Sequence, residues 1–299
     1  MSCASRDKEG GALRQALTAA ALAAGLLSPA LAQTPAEPKP QPAPAVELAP
    51  PHIADIPNDD SGKQIMLGMR LLAETKKLLP DNVASALNCD SCHLGNGRVA
   101  NASPYYGMAA NYPRYNARAG RPVTLIERIN GCLLRSMNGK PIPVDSTEMK
   151  AMVAYLDWLS AGLPPHAKVE GAGIGKVDAN LVPDAAHGKQ LYDAKCAECH
   201  GSNGEGLKNA EGKFVVPPLW GDESFNIGAG MARTYTAAAF IKSNMPIGYG
   251  LNPPLGEGGA LSDQEAVDIA DYFTHQPRPD FPPKVNDWPK GGRPKDARY

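Results

Sequence analysis

Apolar residues recur at three-to-four spacing in two similar stretches of the chain, residues 148–156 and residues 265–273. This spacing places the apolar side chains on one face of an α-helix, so both stretches are predicted to be amphipathic helices. Each stretch carries a tyrosine at the same place, Tyr155 in the first and Tyr272 in the second. The repeated pattern therefore indicates two related helical domains.

Shorter signals mark where further helices begin. The segments Gly62-Lys63-Gln64-Ile65 and Gly188-Lys189-Gln190-Leu191 are alike, and each opens a helical pattern early in its domain. Asp145-Ser146 and Ser262-Asp263 supply N-cap residues for the two later helices. We therefore expect an all-α fold in which each domain has an opening and a closing helix.

A third apolar stretch, residues 16–27, lies near the start of the chain, after Arg14. Ala30-Leu31-Ala32 follows it and has the small-residue form of a signal-peptidase site. The stretch is short for a membrane span, and no later segment is apolar enough to cross a bilayer. These features predict an export signal at residues 1–32, cleaved after Ala32, and a periplasmic protein. An uncleaved anchor is the alternative, which the cleavage site disfavours.

Composition divides the rest of the chain. Residues 33–51 are rich in proline and alanine, which is typical of an extended tether. Two domains are predicted at residues 52–165 and 183–280, joined by a glycine-bearing linker at 166–182. The tail, residues 281–299, carries several prolines and glycines and is expected to run over the surface without regular structure. The net charge is −1, and no basic stretch indicates nucleic-acid binding.

Each domain contains one Cys-x-x-Cys-His motif, the attachment site of a c-type haem. Both cysteine sulfurs form thioethers to the porphyrin, and the histidine ligates the iron. Zinc sites and redox dithiols are the alternatives, but the two motifs lie too far apart for one zinc site and a redox motif does not require the histidine. We therefore predict two tandem cytochrome c-like domains, each with one covalent haem c. The motifs are Cys89-Asp90-Ser91-Cys92-His93 and Cys196-Ala197-Glu198-Cys199-His200.

The second haem needs a sixth ligand or an open site. Met245 precedes Pro246 between the haem motif and the closing helix, which is typical of the methionine ligand of a small cytochrome c. Met231 is an alternative, although it lies in a glycine-rich segment nearer the haem motif. Met245 is the predicted ligand.

For the first haem, spacing leaves two candidates. Met137 follows His93 by 44 residues, much as Met245 follows His200 by 45. Cys132 follows His93 by 39 residues. Of the six cysteines, Cys132 alone is neither in the signal nor in a haem motif, so it has no partner for an intrachain disulfide.

Local structure favours Cys132. Thr124 and Glu127 form a capping box that starts a helix. That helix carries Arg128, Cys132 and Ser136 on one stripe, and residue 137 points about 140° away from residue 132. A thiolate ligand and a small buried apolar residue both remain open for Cys132 from the residues alone.

The chain around Cys132 resembles the dihaem thiosulfate dehydrogenases that form tetrathionate. The likeness covers nearly all of the mature chain, and the segment around Cys132 is far more specific than either haem motif. The matching segments are residues 124–132, 135–139, 112–115, 118–120, 242–246 and 287–289.

The resemblance implies roles for particular residues. Cys132 is expected to be the sixth ligand of the first, catalytic haem. Arg118, Arg128 and Ser136 are expected to line the substrate pocket. Some members of the family have a lysine ligand where this chain has Asn244, so a plain His200 and Met245 pair is expected at the second haem.

The resemblance also implies a reaction. Two thiosulfates would give one tetrathionate and two electrons, passed to a periplasmic acceptor such as a cytochrome c or a high-potential iron–sulfur protein. The reverse reaction, tetrathionate reduction, is open because the sequence does not set the direction. Two other classes remain as alternatives: a non-catalytic dihaem electron-transfer subunit of a periplasmic dehydrogenase, and a subunit of a sulfur-oxidation complex.

Overall fold

Helices form most of the regular structure of the computed structural model, which describes residues 45–247 and 258–299. The predicted export signal and the first part of the tether lie outside the described residues. The α-helices are α1 (Asp60–Ala73), α2 (Thr75–Leu78), α3 (Leu94–Gly97), α4 (Leu125–Arg135), α5 (Thr147–Leu159), α6 (Ala185–Lys195), α7 (Ala197–His200), α8 (Thr234–Asn244) and α9 (Asp263–Thr274). The short strands are β1 (Ala45–Val46), β2 (Arg114–Asn116), β3 (Arg121–Val123), β4 (Lys168–Val169), β5 (Leu207–Lys208) and β6 (Phe214–Val216).

The strands of the described residues form three two-stranded sheets. β1 pairs with β4 in parallel, while β2 with β3 and β5 with β6 form antiparallel pairs. The β1–β4 pair joins the end of the predicted tether to the predicted linker. The fold is therefore dominated by helices, as expected for an all-α architecture. No helix of the two described ranges has the length and apolar character required to cross a bilayer.

The two predicted N-caps are confirmed. The Ser146 hydroxyl accepts a hydrogen bond from the Met149 amide at 3.1 Å and begins α5. Ser262 begins α9 with a capping box, because its hydroxyl accepts from the Glu265 amide while the Glu265 carboxylate accepts from the Ser262 amide. Such caps satisfy amide groups that have no partner within the helix.

We call the two predicted domains, residues 52–165 and 183–280, the first half and the second half. Each half is built on one close helix crossing. α1 packs against α5 in the first half, and α6 packs against α9 in the second. A Cβ at Gly68 would lie 1.9 Å from the Ala151 carbonyl oxygen, and a Cβ at Gly188 would lie 1.9 Å from the Asp268 carbonyl oxygen. Both crossings therefore depend on a glycine that lets two backbones touch.

The helix crossings show that Gly188 corresponds to a different glycine of the first half than the sequence pattern indicated. Ala151 and Asp268 each precede the shared tyrosine of their helix by four residues, which agrees with the matching of the two closing helices. The residue that occupies the place of Gly188 is Gly68, whereas Gly62 was matched to it by sequence. Gly62 instead lies against the Pro57 carbonyl before α1.

The two halves meet through buried polar side chains. Asn226 in the second half is 1 % exposed and donates from Nδ2 to the Leu134 carbonyl of the first half at 2.9 Å. Asn244 is fully buried and donates to the Asn101 carbonyl at 2.9 Å. Hydrogen bonds of this kind fix one relative placement of the halves because each buried donor must find its partner.

The tail differs from its expected form. A 3₁₀ helix spans Pro282–Asn286, where proline at the first helical positions removes an amide that would have no acceptor. Phe281 and Trp288 on either side of it are buried. The tail is therefore packed into the protein, and its prolines start a turn of helix where an irregular surface segment was expected.

Replacing Gly68 with alanine should destabilise the first half by about 3 kcal/mol, because the added methyl would collide with backbone and force the two helices apart. Gly230→Ala is the matched control: a Cβ there meets no atom of the described residues within 4 Å. Chemical unfolding of the two holoprotein variants measures the difference. Equal stability of the two variants would contradict the tight crossing.

Candidate functional site

The first haem motif presents a histidine ready to bind a metal. The Nδ1–H of His93 donates to the Ser103 carbonyl at 2.6 Å, which leaves Nε2 as the free ring nitrogen. The Tyr105 ring stacks on the imidazole with 4.5 Å between centroids. Burial lowers the pKa of His93 to about 4, so the ring is neutral near pH 7. This donor set fits the axial histidine of a haem.

The second motif has the same arrangement. The Nδ1–H of His200 donates to the Pro217 carbonyl at 3.2 Å, and burial lowers the pKa of this histidine. Burial also raises the pKa of Cys196 to about 11. An aromatic group of Tyr192, Trp220 and Tyr272 lies in this half, with ring centroids 5.3 to 5.9 Å apart. These residues suit a large, flat apolar group such as a porphyrin.

Helix α4 begins at the predicted capping box. The Thr124 hydroxyl accepts from the Glu127 amide at 3.2 Å, and the Glu127 carboxylate accepts from the Thr124 amide at 2.8 Å. Ser136 is the C-cap and keeps helical backbone angles, so the predicted stripe continues to it. The stripe of Arg128, Cys132 and Ser136 is confirmed as one continuous helical face.

The Cys132 thiol shares its surroundings with the first haem motif. Burial raises the pKa of Cys89 and of Cys92, each to about 12, and negative charge on Cys132 adds to the rise at both. Such an effect requires the three sulfurs to lie near one another in a region of low polarity. All three cysteines are half-buried. The structure thus brings Cys132 and the first haem motif together.

Arg128 is close to the same sulfur. Attraction to Cys132 raises the pKa of this arginine, with a smaller contribution from Tyr112, and the positive charge of Arg128 contributes to the low pKa of His93. The Arg128 side chain is nonetheless accessible to solvent. A cationic, accessible side chain beside a thiol can bind an anion from solution.

Met137 lies in the hydrophobic core. It is 3 % exposed, and its amide bonds the Cys132 carbonyl at 3.0 Å while its carbonyl accepts from the Ser85 amide at 3.0 Å. These contacts give Met137 a packing role. Of the two candidates set by spacing, Cys132 is the more accessible, because it is only half-buried.

Arg118 occupies different surroundings from Arg128. It lies in the turn between β2 and β3, with its guanidinium donating to the Gly228 carbonyl and lying 4.9 Å above the Trp288 ring. Burial lowers the pKa of Arg118 to about 10, which keeps it protonated at neutral pH. The described contacts of Arg118 are with the second half and the tail, and none is with Cys132.

Arg135 is a second arginine of α4, and the sequence pattern did not single it out. It follows Arg128 by seven residues on α4, which returns it to nearly the same face of the helix. Its guanidinium binds the Asp287 carboxylate with two hydrogen bonds of 2.7 and 2.9 Å. The seven-residue spacing was the signal available in the sequence.

The predicted ligand of the second haem lies at a helix end. Met245 is the C-cap of α8, is partly buried and packs against the core. Met231 is also partly buried, in the 3₁₀ turn Gly230–Ala232, so burial does not separate the two candidates. Asn244 precedes Met245 and donates from Nδ2 to the carbonyls of Asn101 and Phe240, which fixes the backbone immediately before Met245.

Comparison with known proteins identifies both halves as cytochrome c domains. Residues 81–164 match the family described as "SoxA/TsdA, cytochrome c domain", and residues 185–276 match the family described as "Cytochrome c". Domains of these families bind haem c, in agreement with the histidine geometry.

Several proteins named thiosulfate dehydrogenase are similar to the chain over most of its length. The one from Psychrobacter arcticus is 51 % identical, covering 83 % of this chain and 73 % of the relative. The one from Allochromatium vinosum is 43 % identical, covering 82 % of this chain and 89 % of the relative. A solved structure, thiosulfate dehydrogenase (TsdBA) from Marichromatium purpuratum, is 37 % identical with a TM-score of 0.68, and the match covers 77 % of this chain and 49 % of that one.

Proposed function

Because the chain belongs to the thiosulfate dehydrogenase family, we propose that it is a periplasmic dihaem cytochrome c that oxidises two thiosulfates to one tetrathionate. The observation that supports the proposal is a free, half-buried Cys132 one helical turn from the accessible Arg128 on α4, with a charge effect of Cys132 on the first haem motif. A cytochrome that only transferred electrons would need neither a free thiol nor an accessible arginine there.

Six residues of the two motifs would attach the haems. The cysteines would form the thioethers, and the two histidines would ligate iron through Nε2, the nitrogen left free by the carbonyl contacts. Cys132 would be the sixth ligand in the first half and Met245 in the second. The haems, when bound, supply two one-electron acceptors, which matches the two electrons released per tetrathionate. The attachment residues are Cys89, Cys92, His93, Cys196, Cys199 and His200.

The arginines would bind the substrate anions. Thiosulfate is a dianion, and an arginine fork suits its sulfonate oxygens. Arg128 would hold one sulfonate beside Cys132. Arg118, which is held by the second half and the tail, would contribute a second cation. Ser136 can add a neutral hydrogen bond from the same helix face. These groups would reduce the repulsion between two dianions that must meet.

Cys132 would carry the sulfur chemistry. Once released from the iron, its thiolate would form a bond to the terminal sulfur of one thiosulfate, giving Cys-S-S-SO₃⁻. This is a two-electron oxidation, and the two haems would be the electron acceptors. A second thiosulfate then attacks the thiosulfate-derived sulfur, the Cys132 bond breaks, and tetrathionate leaves with the thiolate restored. Atoms and charge balance over the two steps.

The second half would pass the electrons out. With histidine and methionine as ligands it is expected to have a higher potential than the thiolate-ligated first half, so electrons run from the first half to the second. The acceptor would be a small periplasmic redox protein, such as a cytochrome c or a high-potential iron–sulfur protein.

The test is turnover by the purified holoprotein with thiosulfate and ferricyanide. We expect two ferricyanides reduced for each tetrathionate formed. The reverse assay, with tetrathionate and a reduced dye, measures the direction that the potentials favour. A holoprotein that exchanges electrons with ferricyanide after chemical reduction, yet forms no tetrathionate from thiosulfate, would be an electron-transfer cytochrome only.

A further inference from the structure

The C-terminal tail and the second half together enclose two arginines of the first half. We call this group the interdomain clamp; it consists of Arg118, Arg135, Gly228, Phe281, Asp287, Trp288 and Tyr299. The Gly228 carbonyl accepts hydrogen bonds from both arginines. The rings of Trp288 and Phe281 lie against the Arg118 and Arg135 guanidinium groups at 4.9 and 4.2 Å.

Asp287 is the anion of the clamp. Its side chain is 5 % exposed and holds Arg135 through two hydrogen bonds, while its Oδ2 lies 3.7 Å from Arg118 Nε. The Tyr299 hydroxyl donates to the same carboxylate at 2.6 Å. One buried carboxylate therefore neutralises two arginines. It is hydrogen-bonded to Arg135, whereas at 3.7 Å its interaction with Arg118 is electrostatic attraction without a direct hydrogen bond.

The clamp leaves one end of Arg118 free. Nη1 is used by Gly228, Nε faces Asp287, and the guanidinium plane is covered by Trp288. Within residues 45–247 and 258–299, Nη2 makes no hydrogen bond, and the Arg118 side chain keeps 19 % of its surface exposed. The Trp288 amide also donates to the Arg118 carbonyl at 2.9 Å, so the tail holds both the backbone and the side chain of this residue.

We propose that Asp287 is a positioning residue for the oxidation of thiosulfate: it fixes the Arg118 guanidinium so that its free end meets the substrate anion. The inference rests on the proposed function and extends the site to the tail. Asp287 does not touch substrate. It acts by holding Arg118 and Arg135 in one arrangement, and a guanidinium displaced by about 1 Å can lower a rate up to about 100-fold.

Removing the negative charge of Asp287 should favour binding of the substrate anion, whereas losing its hydrogen bonds to the guanidinium groups should lower kcat. Asp287→Asn removes one negative charge, so the clamp becomes more cationic and should attract a dianion at least as well. The asparagine amide group also turns a donor toward the guanidinium donors, so the paired hydrogen bonds to Arg135 cannot both persist. We therefore expect kcat for thiosulfate to fall about 30-fold while KM stays equal or falls.

The experiment compares wild type, Asp287→Asn and Asp287→Glu as holoproteins, with kcat, KM and the absorption of both haems as readouts. Glutamate keeps the charge with one added methylene and should recover part of the lost kcat. Asp280→Asn is the matched control. Asp280 lies in the same tail, has a side chain 58 % exposed, pairs only with Lys284 among the described residues, and should leave kcat and KM within twofold.

The kinetics and the haem spectra distinguish a positioning role of Asp287 from a structural role. A lower kcat without a higher KM, with unchanged haem spectra and partial recovery by glutamate, supports positioning. An Asp287→Asn kcat within twofold of wild type overturns it, as does a fall in kcat accompanied by a raised KM or an altered first-haem spectrum, which would mean a structural role. Wild type that fails to oxidise thiosulfate refutes the proposed function and this inference with it.

A milder variant decides the case if Asp287→Asn yields no holoprotein. Tyr299→Phe removes one hydrogen bond to Asp287 and keeps its charge and its bonds to Arg135. We expect kcat to fall about threefold with KM unchanged. A Tyr299→Phe kcat equal to that of wild type would then overturn the proposal.

Discussion

Replacing Cys132 with glycine should leave both haems attached and abolish thiosulfate turnover. The cysteines and histidines proposed to hold the haems remain in place, so haem content and the spectrum of the second haem should match wild type. Turnover should fall at least about 1,000-fold, the scale on which loss of a covalent nucleophile acts. Because Cys132 is the proposed sixth ligand of the first haem, the ferric first haem should also lose the low-spin signal of thiolate ligation, which electron paramagnetic resonance detects.

Cys132→Ala is the matched comparison for this experiment. Glycine within α4 weakens the helix by about 1 kcal/mol relative to alanine, whereas both variants lack the sulfur. If the sulfur is what matters, both variants lose activity alike. A variant that retains both haems and the normal rate would show that Cys132 is only a helix residue near the haem.

Replacing Arg128 with glutamine should lower kcat/KM for thiosulfate about 100-fold, in the range reported for the loss of one preorganised donor at a developing charge. Lysine keeps the charge but loses the paired geometry, so Arg128→Lys should lose about tenfold. Both haems should remain attached, since Arg128 belongs to neither haem motif. Steady-state kinetics over a range of thiosulfate concentrations measures the change.

Arg121→Gln provides the control for charge at the start of α4. Arg121 is an exposed arginine that forms a surface ion pair with Glu127 at 2.7 Å, an interaction of little energetic weight. Its kcat/KM should stay within twofold of wild type. Similar losses in Arg121→Gln and Arg128→Gln would indicate that general surface charge, and not a binding contact, attracts the anion.

The parts of the fold with local signals were predictable from sequence. Thr124, Ser146 and Ser262 begin their helices as expected, because an N-cap acts on amides only two or three residues away. The common face of Arg128 and Cys132 followed from helix geometry alone. These features depend on neighbouring residues, so the sequence contains the required information.

The parts that depend on distant contacts were not predictable. Arg135 and Asp287 are separated by 152 residues, and neither has a local pattern that points to the other. Gly62 and Gly188 were matched because their following residues agree, yet the close crossing in the first half uses Gly68. Which glycine touches a second helix is decided by packing, and only the assembled structure shows it.

The interdomain clamp has a consequence for protein engineering. Asp287 follows the second cytochrome domain in the chain but neutralises arginines of the first, so the functional boundary between the halves is not a point in the sequence. Expressing the first half alone would leave Arg118 and Arg135 without their counterion. A chimera that exchanges the second half for another cytochrome therefore has to retain residues 281–299 or supply an equivalent carboxylate.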